Sequence, residues 1–164
     1  SRENYYERIY AKTGSLFELS THGAAIISPV DTEIIEKARI FGRELGTAFQ
    51  IVDDILDFTG DQAAVGKPVG SDLLQGLITL PALYYIEQYP NDKQVKSLLN
   101  GHYHNEKEMA ILVENIRQSN AIQLALNEAK EYASRALQSL NGQPQSEERL
   151  ALESLAQYVT NRNV

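Results

Sequence analysis

The chain of 164 residues contains no cysteine, which removes disulfides, thiolate metal ligands and cysteine nucleophiles together. That suits a cytosolic setting, and a cytoplasmic protein is expected. No apolar run approaches about 18 residues, so no transmembrane helix is predicted. The polar opening "SRENYYER" carries no secretory signal. Positive charge is in short supply: 15 Lys and Arg face 22 Asp and Glu, a net charge of −7. With no basic run and no aromatic RNA-binding motif, nucleic acid is not an expected partner. A P-loop, a GxSxG elbow, a GxGxxG and an HExxH are all missing. So are alternating strand patterns, internal repeats and low-complexity tracts. What remains is 43% apolar and 23% charged, near ordinary globular values for one domain with a core.

The pattern that is present is helical. Apolar residues at Tyr6, Ile9, Tyr10, Leu16, Phe17 and Leu19 predict a helix over 3–27, ended by Pro29. Gly14 and Gly23 weaken it but would let another backbone come close. Asp31 or Thr32 then caps a long helix to about Phe58, with a core stripe of Ile34, Ala38, Phe41, Leu45, Ala48, Val52 and Ile55. The glycine-punctuated 61–76 reads as a loop with short helical turns at most. Thr79 is expected to cap a third helix with Pro81 in its first turn. Further helices are predicted over 92–99, 107–119 and 121–140, and Ser146 caps a final one. The predicted class is all-α.

The long helix carries a puzzle in "FQIVDDILDFTGD". Gln50, Asp53, Asp54 and Asp57 fall on one helical face. Like charges at i and i+4 cost a few tenths of a kcal/mol, and anions near a helix C-terminus oppose its dipole. A solvated acidic stripe is the ordinary alternative, but the neighbours are apolar and no Lys or Arg stands four residues away. A divalent cation resolves the conflict. Oxygen-only ligands select hard ions, and magnesium takes one or two carboxylates, waters and substrate phosphate oxygens. The aspartates therefore predict a Mg²⁺-bridged phosphate ligand, with Asp53, Asp54 and Asp57 as metal ligands.

A phosphate also needs cations. Lys67 lies in the glycine-flanked "GKPVG", and Lys12, with Thr13 beside it, lies in the first helix; each taken alone reads equally as a solvent-facing charge. Asp72 in "GSDL" can cap a turn or orient a lysine, with capping the safer reading. His22, His102 and His104 show no partner pattern for a base or metal, and the nine tyrosines default to packing.

Taken together, "FQIVDDILDFTGDQAAVGKPVGSDLLQGLITLPALYY" resembles the all-trans polyprenyl diphosphate synthases. Their second aspartate-rich motif, a DDxxD preceded by FQ, corresponds to Phe49, Gln50, Asp53, Asp54 and Asp57. The GK, GSDL and TLP that follow correspond to Gly66-Lys67, Gly70 to Leu73 and Thr79 to Pro81. "YAKTGSLF" is similar to the family's KT helix. "GKPVGSDLLQG" is most similar to bacterial medium- and long-chain members of the heptaprenyl type. The specific likeness spans about residues 3–90. Two departures stand out: many members carry lysine where this chain has Leu77, and the first aspartate-rich motif is absent.

The resemblance implies the isoprenoid synthase helical bundle, with residues 1–164 as the C-terminal part of a polyprenyl synthetase domain, since members are roughly twice this length. It implies a Mg²⁺-dependent prenyltransferase that condenses an allylic prenyl diphosphate with isopentenyl diphosphate. Lys12, Thr13 and Gln50 would be catalytic, and these three with Lys67 and Asp72 would bind substrate. The chain, which opens on Ser1 rather than methionine, is expected to be a fragment that is inactive alone. Its partners would be the missing N-terminal half, in cis or trans, and a homo- or heterodimer mate. The alternative is a non-catalytic helical subunit or truncated relative that binds a partner synthase.

Overall fold

The computed structural model describes residues 1–60, 69–101 and 105–162. Every element among them is helical, as expected for an all-α chain: α1 Arg2–Ile9, a π-helical turn Tyr10–Gly14, α2 Ser15–Ile26, α3 Thr32–Thr59, α4 Ser71–Leu74, α5 Leu80–Gln88, α6 Lys93–Leu99, α7 Glu106–Gln118, α8 Ala121–Ser139 and α9 Glu147–Asn161. Among the described residues no helix is long and apolar enough to cross a membrane. The chain divides into two compact units, one of residues 1–5 and 53–126, the other of residues 6–52 and 127–162.

In the second unit the expected first helix is interrupted. Ile9 and Ser15 both keep helical backbone angles, so the chain stays helical, but "YAKTG" forms a wider π turn. That turn holds an extra residue, and a stripe counted at helical spacing across it does not stay on one face. Ile9 is buried, whereas Leu16 and Leu19 are 62% and 67% exposed.

Close backbone approach is real, but the glycines that permit it are largely different ones. A Cβ at Gly42 would lie 2.5 Å from the Phe17 carbonyl oxygen, and one at Gly46 would lie 2.9 Å from Gly14 Cα and 2.8 Å from Phe17 Cβ. Gly23, by contrast, has nothing nearby. The α2–α3 contact is thus made by backbone, and the Phe17 and Phe49 rings close it at 5.4 Å. Along α3 the predicted stripe is buried from Phe41 onward, while Ile34 and Ala38 stay half-buried. α8 contributes small residues, Ala129, Ala133 and Ala136, and α9 adds Ala156 and Val159. Ser146 caps α9 by accepting from the Arg149 N–H.

The unit of residues 1–5 and 53–126 has its own core of Phe58, Leu73, Tyr85, Val95, Leu98, Met109, Leu112 and Ile116. Asp92 caps α6, accepting from the Gln94 and Val95 N–H groups. Thr79 sits at the N-cap of α5 with Pro81 behind it, but it makes no capping bond, and its buried hydroxyl has no partner among the described residues. The Arg2 guanidinium forks onto Glu87 at 2.8 and 2.9 Å and lies 4.2 Å from the Tyr84 ring centre, which ties α1 to α5. That hydrogen bond holds the Glu87 carboxyl below the usual range. The clamp's contribution is therefore present above the ordinary glutamate pKa of about 4.3 and is lost as pH falls through the lowered folded value.

Gly42→Ala would normally gain about 1 kcal/mol of helix propensity. Here the clash with backbone outweighs it, and the expected outcome is a net loss of about 1–3 kcal/mol, read as a melting temperature lower by several degrees. A variant as stable as the parent would show that the two helices do not touch there.

Candidate functional site

The aspartates of α3 separate by environment. Asp53 is exposed. Asp54 is only 4% exposed and accepts a hydrogen bond of 2.7 Å from the Tyr5 hydroxyl. Asp57 is half-buried and reaches "GSDL": its Oδ1 accepts from the Ser71 N–H at 3.1 Å and the Ser71 hydroxyl at 2.7 Å, and its Oδ2 from the Asp72 N–H at 3.2 Å. Its backbone carbonyl also accepts from the Gly70 N–H.

The N-terminal N–H groups of α4 have no partner within the helix. Gly70, in the left-handed conformation at φ 70°, has no side chain to supply one. A Cβ there would also sit 2.4 Å from Val113 Cγ2, so the position requires glycine on two counts. The cap comes instead from α3, where a carboxylate at a helix N-terminus is electrostatically favoured. The capping role read for Asp72 thus belongs to Asp57, and Asp72 contributes the donor. The crowded charges are in part compensated within the protein: Asp57 by three side-chain hydrogen bonds, Asp54 by Tyr5.

In the other unit, Lys12 is exposed on the π turn and Thr13 beside it is half-buried. The Thr13 hydroxyl donates to Gln50 Oε1 at 2.8 Å, and Gln50 is 2% exposed. The turn at "YAKTG" therefore brings together two residues that sequence reading had placed at one site from separate motifs. His22 is half-buried in α2. Lys67, His102 and His104 lie outside the described residues. Among the described residues no group of three His, Asp or Glu side chains is assembled as a metal site. The donor chemistry still fits a hard cation in a narrower way, because Asp53 presents one exposed carboxylate that such an ion can share with phosphate oxygens. Sequence reading missed Tyr5, which was assigned to packing; its role depends on a partner 49 positions away.

A polyprenyl synthetase family model matches residues 1–116. The chain belongs to that family. Heptaprenyl diphosphate synthase component 2 of Bacillus subtilis (strain 168) is 37% identical over 158 residues, covering 96% of this chain and 45% of that protein. The crystal structure of heptaprenyl diphosphate synthase from Staphylococcus aureus superposes with a TM-score of 0.93 at 36% identity, over all of this chain and 51% of that one. A polyprenyl synthase from Caulobacter crescentus CB15, solved with calcium and isoprenyl diphosphate, does so with a TM-score of 0.88 at 32% identity over 51% of its chain. These likenesses establish the isoprenoid synthase helical bundle. The chain spans 35–49% of the length of eight curated relatives.

Two substitutions test the bracing of the aspartates. Tyr5→Phe deprives a buried carboxylate of a donor and is expected to cost about 1–3 kcal/mol in denaturant unfolding; an unchanged midpoint would mean the bond carries nothing. Asp57→Ala is expected to speed amide exchange at Ser71 and Asp72 about tenfold, for a lost bond of about 1.4 kcal/mol, and unaltered protection there would rule out the cap.

Proposed function

We propose that residues 1–164 form the C-terminal part of a polyprenyl synthetase domain. The complete protein would condense an allylic prenyl diphosphate with isopentenyl diphosphate, and this chain supplies one of the two walls that hold the metal and the diphosphate. The observation that carries the reading is the braced aspartate motif of α3, with Asp53 exposed between two carboxylates held from behind, in a chain of this family.

Cleaving an allylic C–O bond places negative charge on the departing diphosphate and positive charge on carbon. Magnesium, when bound, neutralises part of the former, and the calcium and isoprenyl diphosphate of the Caulobacter relative support a hard divalent ion. Asp53 is its direct ligand in this proposal. Asp54 and Asp57 complete the metal-binding motif from behind, fixing the rotation of α3 and the approach of the 70–74 segment. Lys12 and Lys67 offer cations to the diphosphate oxygens, where fixed charge aimed at developing charge is most effective. Thr13 holds Gln50 Oε1, and the remaining lone pairs of these two oxygens can face the allylic cation. Asp72, whose N–H donates to Asp57, is proposed to contribute its carboxylate to substrate binding by orienting a lysine. Coverage of about half or less of each relative reported supports a second wall supplied in cis or trans. The "component 2" in the Bacillus relative's name supports work within a homo- or heterodimer.

The chain alone, given geranyl or farnesyl diphosphate with isopentenyl diphosphate, is expected to show no sustained turnover, while binding geranyl diphosphate more tightly with magnesium than without. Turnover by the isolated chain would overturn the one-wall reading, and absence of any magnesium effect would overturn the site. In the complete enzyme Asp53→Asn is expected to lower the rate by orders of magnitude; near-parental turnover would remove Asp53 from the mechanism.

A further inference from the structure

Apart from the aspartate motif, the unit of residues 6–52 and 127–162 carries a partly open cavity of about 290 Å³. Its lining includes three arginines, Arg39, Arg43 and Arg135, three tyrosines, Tyr6, Tyr10 and Tyr132, and a single carboxylate, Glu44. In a chain of net charge −7, this concave site gathers three guanidiniums, and fixed positive charge in a cleft is an arrangement that attracts anions to the extent that neighbouring carboxylates leave it unneutralised.

The arginines are not equally committed. Arg39 forks onto Glu36 and reaches Glu18 at 3.1 Å. Arg135 donates to Glu44 at 2.6 Å and lies 4.0 Å from the Tyr132 ring centre. Arg43 lies 5.3 Å from the Tyr10 ring centre and makes no ion pair among the described residues. A ring face holds a guanidinium in place without neutralising it, so its fork of N–H donors stays available. The tyrosine walls are fixed in turn, since Tyr6 packs against Tyr132 with ring centres 6.0 Å apart and donates to Glu128.

We propose that this cavity binds a phosphate-class oxyanion, with Arg43 and Arg135 as its direct contacts. Guanidinium recognises such groups through paired, charge-assisted hydrogen bonds. The volume corresponds to roughly ten waters at about 30 Å³ each, enough for diphosphate or a small phosphate monoester. No aspartate lines it, so no metal is required, and the assignment does not rest on the prenyl-transfer reading.

The test is calorimetric titration of the 164-residue chain in EDTA, with inorganic diphosphate in one arm and glycerol phosphate in the other. Saturable binding is expected in at least one arm, and the tighter arm identifies the form of the ligand. Arg43→Gln and Arg135→Gln should each weaken it tenfold or more, with Arg43→Gln leaving the melting temperature unchanged, because Arg43 is exposed. Asp53→Asn should leave it intact. Absence of saturation at millimolar ligand in both arms, parental affinity in Arg43→Gln, or loss of binding in Asp53→Asn would each overturn the site.

Discussion

A carboxylate removed from water needs hydrogen-bond donors, and Asp54 imposes that requirement near the end of the longest helix. Its donor, Tyr5, comes from the first helix, which Arg2 in turn ties to Glu87 and Tyr84. Asp54 thus accounts for the tyrosine, and the Arg2 pair with Glu87 is a second tie that holds α1 within the unit of residues 1–5 and 53–126. Three residues further along α3, Asp57 performs the complementary task, supplying the 70–74 segment with the cap that glycine cannot. Between them Asp53 is left facing outward, and the proposed ligand position is defined by what its neighbours are already doing.

This changes what the crowding of aspartates means. Repulsion among like charges argues for a counter-ion only to the extent that nothing else in the fold compensates them. Here Asp54 and Asp57 accept hydrogen bonds from protein donors, so crowding of charge is not by itself the case for a cation, and the proposal rests on kinship with the synthases and on the exposure of Asp53. The division also gives the motif a mechanical side: Asp54 fastens α3 to Tyr5, and Asp57 fastens it to the 70–74 segment.

How far each feature could be read ahead of the structure followed the range of the interactions involved. The extents of α3 and α6 and the cap of α9 at Ser146 are local, set by residues within a turn of one another, and they were legible. Family membership was legible from a contiguous motif. Tyr5 was not, because nothing near it points to a residue 49 positions on. Asp72 was given the cap that Asp57 provides, since short-range rules assign caps to adjacent residues. Gly42 and Gly46 were overlooked because a glycine inside a strongly helical pattern shows its purpose only when another backbone lies against it. The arginine–tyrosine cavity collects residues from three separate helical stretches and has no sequence signature.

The wide turn at Tyr10–Gly14 bears on how this segment can vary. Each residue of a regular helix advances the side chains by about 100°. The extra residue held in that turn therefore sets the angular offset between Tyr6, before it, and Phe17, after it. Shortening the segment by one position would restore an ordinary helix with undiminished backbone bonding, yet swing everything on one side out of phase with the other. Related chains should consequently accept almost no change in the number of residues between Tyr10 and Gly14.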